Sequence, residues 1–330
     1  MNVSVSAIMP NYNHAHLIPT ALAGLQAQTR PYDEILIVDD GSTDDSLSVI
    51  GAIAAADPRI RLIRHPANRG AVAAMNTGLA EARGEILHFT AADDSYRPAL
   101  VATLLPLLAA HPGAALASGE VAVVAAETGR ALGLRPPVRP AARAAFLGPD
   151  AVAAELRRID NFLMTQAALF RRGPLVAAGG FDPRLGSFTD GVLARRLALR
   201  HGFCFVPAVL AEWRVSDGGY SRSLARDADR AVAALAAVHA AFREDPVFPP
   251  WYPALFERRW RFAIARLAVE STPPDRAVLD QLLGNRLPGA LAALPAPLGR
   301  IAALAWLTLH FRPTSLVGLV RTALARRGAA

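Results

Sequence analysis

The sequence predicts an α/β protein: a mostly parallel, mixed sheet with helices on both faces, followed by a helical C-terminal region. Three observations carry this expectation. The run Ile35-Leu36-Ile37-Val38 stops abruptly at Asp39-Asp40-Gly41-Ser42-Thr43-Asp44, as a buried parallel strand does when its carboxyl end opens into a polar loop. Two further runs end in the same way: Val3 to Met9 leads into Pro10-Asn11-Tyr12-Asn13, and Ile86 to Phe89 into Thr90-Ala91-Ala92-Asp93-Asp94. Segments with helical spacing alternate with these strands. Ligands of open α/β sheets bind at the carboxyl ends of strands, so three polar strand ends in the first third of the chain suggest one composite site.

The elements follow in order. After strand 3–9, Pro19 and Gln28 bracket a helix with Leu22 and Leu25 on one face. Strand 35–38 follows, and Ser42, Thr43 and Asp44 offer an N-cap for a helix holding Leu47, Val49, Ile50 and Ile53. Ile60 to Ile63 alternates as a third strand, and Gly70 to Ala82 reads as a helix with Gly84 as its C-cap. Strand 86–89 and a helix opened by Pro98, carrying Leu100, Val101, Leu104, Leu105 and Leu108, complete the β-α-β-α rhythm. Residues 124–149, rich in Pro, Arg and Gly, read as a long connection or a lid. Phe162 to Phe170 is expected as a strand, Val192 to Arg200 as a helix, Phe203 to Leu210 as a buried strand and Arg222 to Phe242 as an Ala-rich helix, with proline-punctuated helices beyond. The expected organisation is one domain over 1–221 and a helical region over 222–330.

With 52% hydrophobic residues over 330 positions, the chain has ample material for a core. It contains no Lys, so all 35 basic residues are Arg, and the net charge is +7. That charge suits acidic small molecules such as nucleotide diphosphates, or an anionic membrane surface. No basic run is interleaved with aromatics, so nucleic acid is not an expected partner. A single cysteine, Cys204, excludes an internal disulfide and a cysteine-based zinc site, and suits a reducing cytosol. No charged stretch followed by an apolar one precedes the first strand, so no secretion signal is expected. Residues 301–311 are apolar but too short for a bilayer, which needs about 20 apolar residues. With Arg312, Arg321, Arg326 and Arg327 behind them, they read either as a core-packed helix or as an amphipathic segment on a membrane surface.

The motifs point to a family. Pro10-Asn11-Tyr12-Asn13, Val38-Asp39-Asp40-Gly41-Ser42, Asn68-Arg69-Gly70, Asn76-Thr77-Gly78, Ala82-Arg83-Gly84-Glu85, Ala92-Asp93-Asp94 and Gly179-Gly180-Phe181-Asp182 stand in a characteristic order. Over residues 1–220 their spacing resembles the family 2 inverting glycosyltransferases with the GT-A fold. The resemblance implies a UDP- or dTDP-sugar donor, a glycan, lipid-linked or other hydroxyl acceptor, and polysaccharide or other cell-envelope synthesis. A cytoplasmic location, at the inner face of the membrane where lipid-linked acceptors lie, goes with it.

A uracil ring needs an acceptor for its ring N–H and an aromatic surface to stack on. Asp39 or Asp40 and Tyr12 are the candidates, and Gly41 permits the tight turn. Pro10, Asn13, Arg69, Asp93 and Arg214 complete the expected donor-binding set. Asn11 and Asn13 read more as loop-shaping residues than as ligand contacts, and helix capping is the lesser alternative for the acidic pair. Asp93 and Asp94 are the metal candidates, since hard oxygen ligands select Mn2+ or Mg2+. The family's Asp-x-Asp has Ala91 at its first position here. The resemblance assigns the general base to Asp190, where Thr189-Asp190 stands for the family's Glu-Asp; an ordinary acid at a helix N-terminus is the alternative. In Glu212-Trp213-Arg214-Val215-Ser216 the family's histidine is replaced by Ser216, and Arg214 either steadies the diphosphate or pairs with Glu212 or Asp217. Ala91, Thr189 and Ser216 motivate a second reading: a catalytically silent nucleotide-sugar-binding or scaffold protein. A dehydrogenase and a nucleotidyltransferase are both excluded, because no glycine-rich phosphate loop follows the first strand.

Overall fold

The computed structural model describes residues 3–160, 162–215, 228–270, 276–283, 296–311 and 322. The chain divides into two compact units, 1–152 with 161–216, and 153–160 with 217–330. The first unit is built on a ten-stranded mixed sheet. Strands β1 (Val5–Asn11), β2 (Glu34–Asp39), β3 (Ile60–Arg64) and β4 (Ile86–Phe89) lie parallel, in the order β3-β2-β1-β4. Helices α1 (Ile18–Gln26), α2 (Ser46–Ala56) and α3 (Ala71–Glu81) connect them. Val5, Ala7, Ile8 and Met9 of β1 and Ile35 to Val38 of β2 are fully buried, which is why these strands are continuously apolar rather than alternating. β3 lies at the edge and alternates, with Ile60 buried and Leu62 exposed.

The other half of the sheet is mixed. β5 (Ser95–Tyr96) and α4 (Leu100–Ala110) lead to β6 (Leu116–Ala125), β7 (Ala131–Arg135) and β8 (Ala145–Leu147). After α5 (Pro149–Arg158), β9 (Ala168–Arg171) inserts antiparallel between β4 and β6. Helices α6 (Arg172–Ala177) and α7 (Thr189–His201) precede β10 (Phe203–Val215), which lies parallel to β6. The chain's single thiol, Cys204, is fully buried in β10.

Four local expectations change. Residues 124–149 are not one loop: they contain β7 and β8, paired antiparallel to β6 and β10. Between those strands, the Arg139 guanidinium donates to both oxygens of buried Glu120 in β6 at 3.0 and 2.7 Å, which pins the connection to the sheet. Of the stretch from Phe162 to Phe170, the strand begins at Ala168, and Thr165–Ala167 form a 3-10 turn. Gly84 lies beyond the α3 C-cap, Ala82; its missing side chain serves a close approach, because a Cβ there would stand 2.6 Å from the Ser6 backbone nitrogen. At α2 the N-cap is Asp45, without a side-chain cap bond, because Ser42 is engaged by Asp39 and Asp44 accepts from the Ser46 N–H instead.

The second unit contains α8 (Ala228–Glu244), α9 (Tyr252–Glu270), α10 (Arg276–Leu283) and α11 (Ala296–Phe311). Phe242, Phe248, Tyr252 and Phe256 form an aromatic cluster, and Arg259 donates to the Leu156 and Arg157 carbonyls at 2.6 and 2.9 Å. Among the described residues no helix is long and apolar enough to cross a membrane. Ser216, Asp217, residues 222–227 of the expected Ala-rich helix, and Arg312, Arg321, Arg326 and Arg327 lie outside the described residues.

Candidate active site

The strand-end loops are tied together by their own polar side chains. Asp39 is fully buried: its carboxylate accepts from Asn11 Nδ2 (2.8 Å), Ser42 Oγ (2.6 Å) and the Ser42 N–H (3.0 Å). Asn13, in the left-handed region at φ 56°, accepts from the Thr43 N–H at 2.8 Å and donates its own N–H to Ser42 Oγ at 3.0 Å. Asp40 reaches the next loop, accepting from His65 Nδ1 (2.6 Å) and from the Arg69 (3.0 Å) and Gly70 (2.7 Å) N–H groups. Gly41 turns directly after these two acids at φ 75°; a Cβ there would stand 2.6 Å from the Ala67 carbonyl carbon. One acid therefore fastens the first loop and the other fastens residues 65–70. Each carboxylate has used three of about four acceptor positions and keeps one. Pro10 is the penultimate residue of β1, next to Asn11 of this network, while Tyr12 and Arg69 are exposed.

The loop after β4 has a different character. Asp93 is exposed and Asp94 is buried. Burial, followed by the neighbouring Asp93 charge, pushes the Asp94 carboxyl up to about 8. Asp94 accepts from the Arg214 N–H at 3.1 Å, and the Arg214 guanidinium pairs with Glu212 at 3.4 Å. Ala91 donates its N–H to Tyr96 Oη at 2.7 Å. Among the described residues no group of three or more His, Cys, Asp and Glu converges. Two hard carboxylates nevertheless fit Mg2+ or Mn2+, which are commonly held by one or two carboxylates plus substrate phosphates. A cation there would also favour the ionised form of Asp94.

Asp190 lies in the first turn of α7. Its Oδ2 accepts from Thr165 Oγ at 2.7 Å and its Oδ1 from the Gly191 N–H at 2.7 Å. The segment before it is fastened by Asn76, which accepts from the Phe181 N–H at 2.9 Å and donates to the Phe181 carbonyl at 2.8 Å. Phe181 also packs edge-on against Phe89 at the end of β4. Thr189, in the position of the family's glutamate, is buried, and its hydroxyl finds no hydrogen-bond partner among the described residues. Sequence reasoning missed His65, Thr165 and His88 as supports. The Asn-Thr-Gly motif was the available signal for His65 and for the Phe181 clamp, since Thr77 bonds His65 Nε2 at 3.0 Å and Asn76 holds Phe181. Nothing local marks Thr165.

A mixed sheet with acidic loops at the ends of its parallel strands defines a GT-A-type glycosyltransferase fold. The chain belongs to glycosyl transferase family 2, whose family model matches residues 6–175. An uncharacterised glycosyltransferase of Nostoc is 42% identical over 97 residues, a match spanning 29% of this chain and 30% of that protein. A mannosyltransferase of Pyrobaculum calidifontis, solved with GDP-Man and Mn2+, is 25% identical with a TM-score of 0.60, over 98% of this chain and 87% of its own. Staphylococcus aureus TarS 1–349, solved with UDP-GlcNAc, shares the fold at a TM-score of 0.63 and 16% identity, over 94% of this chain and 91% of its own.

Proposed function

We propose that this protein transfers a sugar from a UDP- or dTDP-sugar to a hydroxyl of a glycan or lipid-linked acceptor with inversion, with Asp190 as the general base. The observation that carries the reading is the arrangement of Asp190. It is a carboxylate at a helix N-terminus, with one donor on each oxygen and a lone pair left on each for a proton. It takes the acceptor's hydroxyl proton while that oxygen bonds to the anomeric carbon, and the bond from that carbon to the diphosphate breaks on the opposite face. The acidic pair Asp39 and Asp40 shapes the nucleoside pocket, and Asp40 keeps one acceptor position for the base. Tyr12 offers the stacking surface, Pro10, Asn13 and Gly41 set the loop, and Arg69 and Arg214 would meet the phosphates, Arg214 in exchange for its 3.4 Å pairing with Glu212. Asp93 and Asp94 would hold Mn2+ or Mg2+, which neutralises the departing diphosphate.

Membership of the family and the Mn2+ complex of the Pyrobaculum relative support donor binding with a cation. That relative's GDP-Man makes GDP-mannose the necessary competitor in any donor panel. The expected result of such a panel, read by release of free nucleoside diphosphate with and without Mn2+, is turnover with a uridine or thymidine donor. Asp190→Asn should lower turnover by about 10²–10⁴ while leaving nucleotide affinity within a few-fold. Near-normal turnover in that variant would sink the base assignment. Absence of turnover with every donor, alongside retained nucleotide binding, would favour the silent binding protein that Ala91 suggests. Peripheral contact with the inner membrane surface belongs to the same proposal, supported by α11, where Leu298, Ile301 and Leu309 are 59%, 65% and 75% exposed.

A further inference from the structure

We infer that Thr165 is a positioning residue for Asp190, and that the short turn carrying it aims the carboxylate at the acceptor; this rests on the reading of Asp190 as the base. An Asp in the first turn of a helix has several rotamers open to it. The Gly191 N–H on Oδ1 belongs to the same helix and moves with it. The Thr165 hydroxyl on Oδ2, 25 residues away in sequence, supplies a contact from a different element. Together they fix the plane of the carboxylate and leave one lone pair on each oxygen facing away from its donor.

The turn is itself anchored. Thr165–Ala167 leads into β9, which is paired on both sides, and Met164 and Ala167 are buried. The Gln166 carbonyl accepts from His88 Nε2 at 3.1 Å, and His88 Nδ1 accepts from Tyr32 Oη at 2.6 Å. Tyr32 and His88 are fully buried. His88 also packs edge-on against Tyr96, whose hydroxyl accepts the Ala91 N–H of the acidic loop. Hydrogen bonds thus run from buried Tyr32 through His88 to the backbone of the turn that carries Thr165, and the same histidine packs against Tyr96, which supports the acidic loop. Displacing a reacting group by about 1 Å costs about a hundredfold in rate, so the loss of such a restraint is measurable.

The test uses the full chain, with turnover read as nucleoside diphosphate released from UDP-glucose, UDP-N-acetylglucosamine, dTDP-rhamnose and GDP-mannose in Mn2+. Thr165→Val keeps the shape and removes the donor. On the best of these donors it should lower kcat by about ten- to a hundredfold, with donor KM and calorimetric nucleotide affinity within about twofold. Thr165→Ser should restore kcat to within about threefold. In the Asp190→Asn background, Thr165→Val should add nothing, since there is no base left to aim. If Thr165→Val fails to fold, Thr165→Ser against Thr165→Ala makes the same comparison. An inactive Asp190→Asn beside a fully active Thr165→Val would overturn this inference alone. So would a loss in which kcat, nucleotide affinity and thermal stability fall together without rescue by Ser. Normal turnover in Asp190→Asn, or a wild-type protein inert towards all four donors, would overturn the base reading and this inference with it.

Discussion

Asp39 and Asp40 are neighbours with separate tasks, and their hydrogen bonds distinguish them. Asp39 spends its carboxylate on Asn11 and Ser42, so its removal should loosen the first loop and lower stability. Asp40 spends its carboxylate on His65 and the N–H groups entering α3. Asp40→Ala should weaken UDP binding about tenfold or more, with a smaller loss for Asp39→Ala, as read by calorimetry with UDP and GDP. Equal binding of both nucleotides by the wild type would remove the uracil argument. The acids, the glycine turn and the asparagines were legible in the sequence because each stands at the polar end of an apolar strand, even though the partners they bond lie 25 to 30 residues away. Thr165 and His88 were not: Thr165 sits in a short turn with no motif around it, His88 lies inside an apolar strand, and their partners, Asp190 in α7 and the Gln166 carbonyl, leave no local pattern.

At the scale of elements, the connection between β6 and β8 deserves a direct measurement. Arg139 and Glu120 form a buried bidentate pair, and breaking such a pair by removing one partner commonly costs about 3–5 kcal/mol. Arg139→Ala should therefore lower the unfolding midpoint and expose residues 126–144 to limited proteolysis; unchanged cleavage would mean that β7 alone holds the segment. The parallel strands were readable because burial on both faces makes them continuously apolar. β6, Leu-Ala-Ser-Gly-Glu-Val-Ala-Val-Val-Ala, carries Ser118, Gly119 and Glu120 in its middle, and its sheet position comes from its neighbours. β7 and β8 are short, and what makes them strands is pairing with β6 and β10, which a proline- and arginine-rich sequence conceals.

For the whole molecule, pH is an informative variable. Burial holds His88 down to about 4, against 6.5 for an ordinary imidazole. Between those values the unfolded chain binds a proton that the folded chain refuses. The contribution of neutral His88 is therefore complete above pH 6.5 and is lost as pH falls through 4, about 3 kcal/mol in all. Denaturant midpoints measured from pH 7 to pH 4 should decline, and His88→Gln should flatten that decline; an identical slope would assign it to other groups. Location is tested separately. The exposed apolar face of α11 predicts flotation with anionic liposomes at low salt, and Ile301→Asp with Leu309→Asp should abolish it. Wild-type protein that stays at the bottom of the gradient would end the membrane proposal.

The single thiol of Cys204 makes the protein its own reporter. It is fully buried in β10, and burial pushes it up to about 11, so at neutral pH the folded state offers a disulfide reagent neither access nor thiolate. Reaction then proceeds through molecules that have opened, at a rate set by the opening equilibrium. A ligand that binds the closed form slows the reaction by a factor of one plus its concentration over its Kd. A mass shift followed over time, repeated with one nucleotide after another, would rank their affinities with no acceptor, no label and no turnover required.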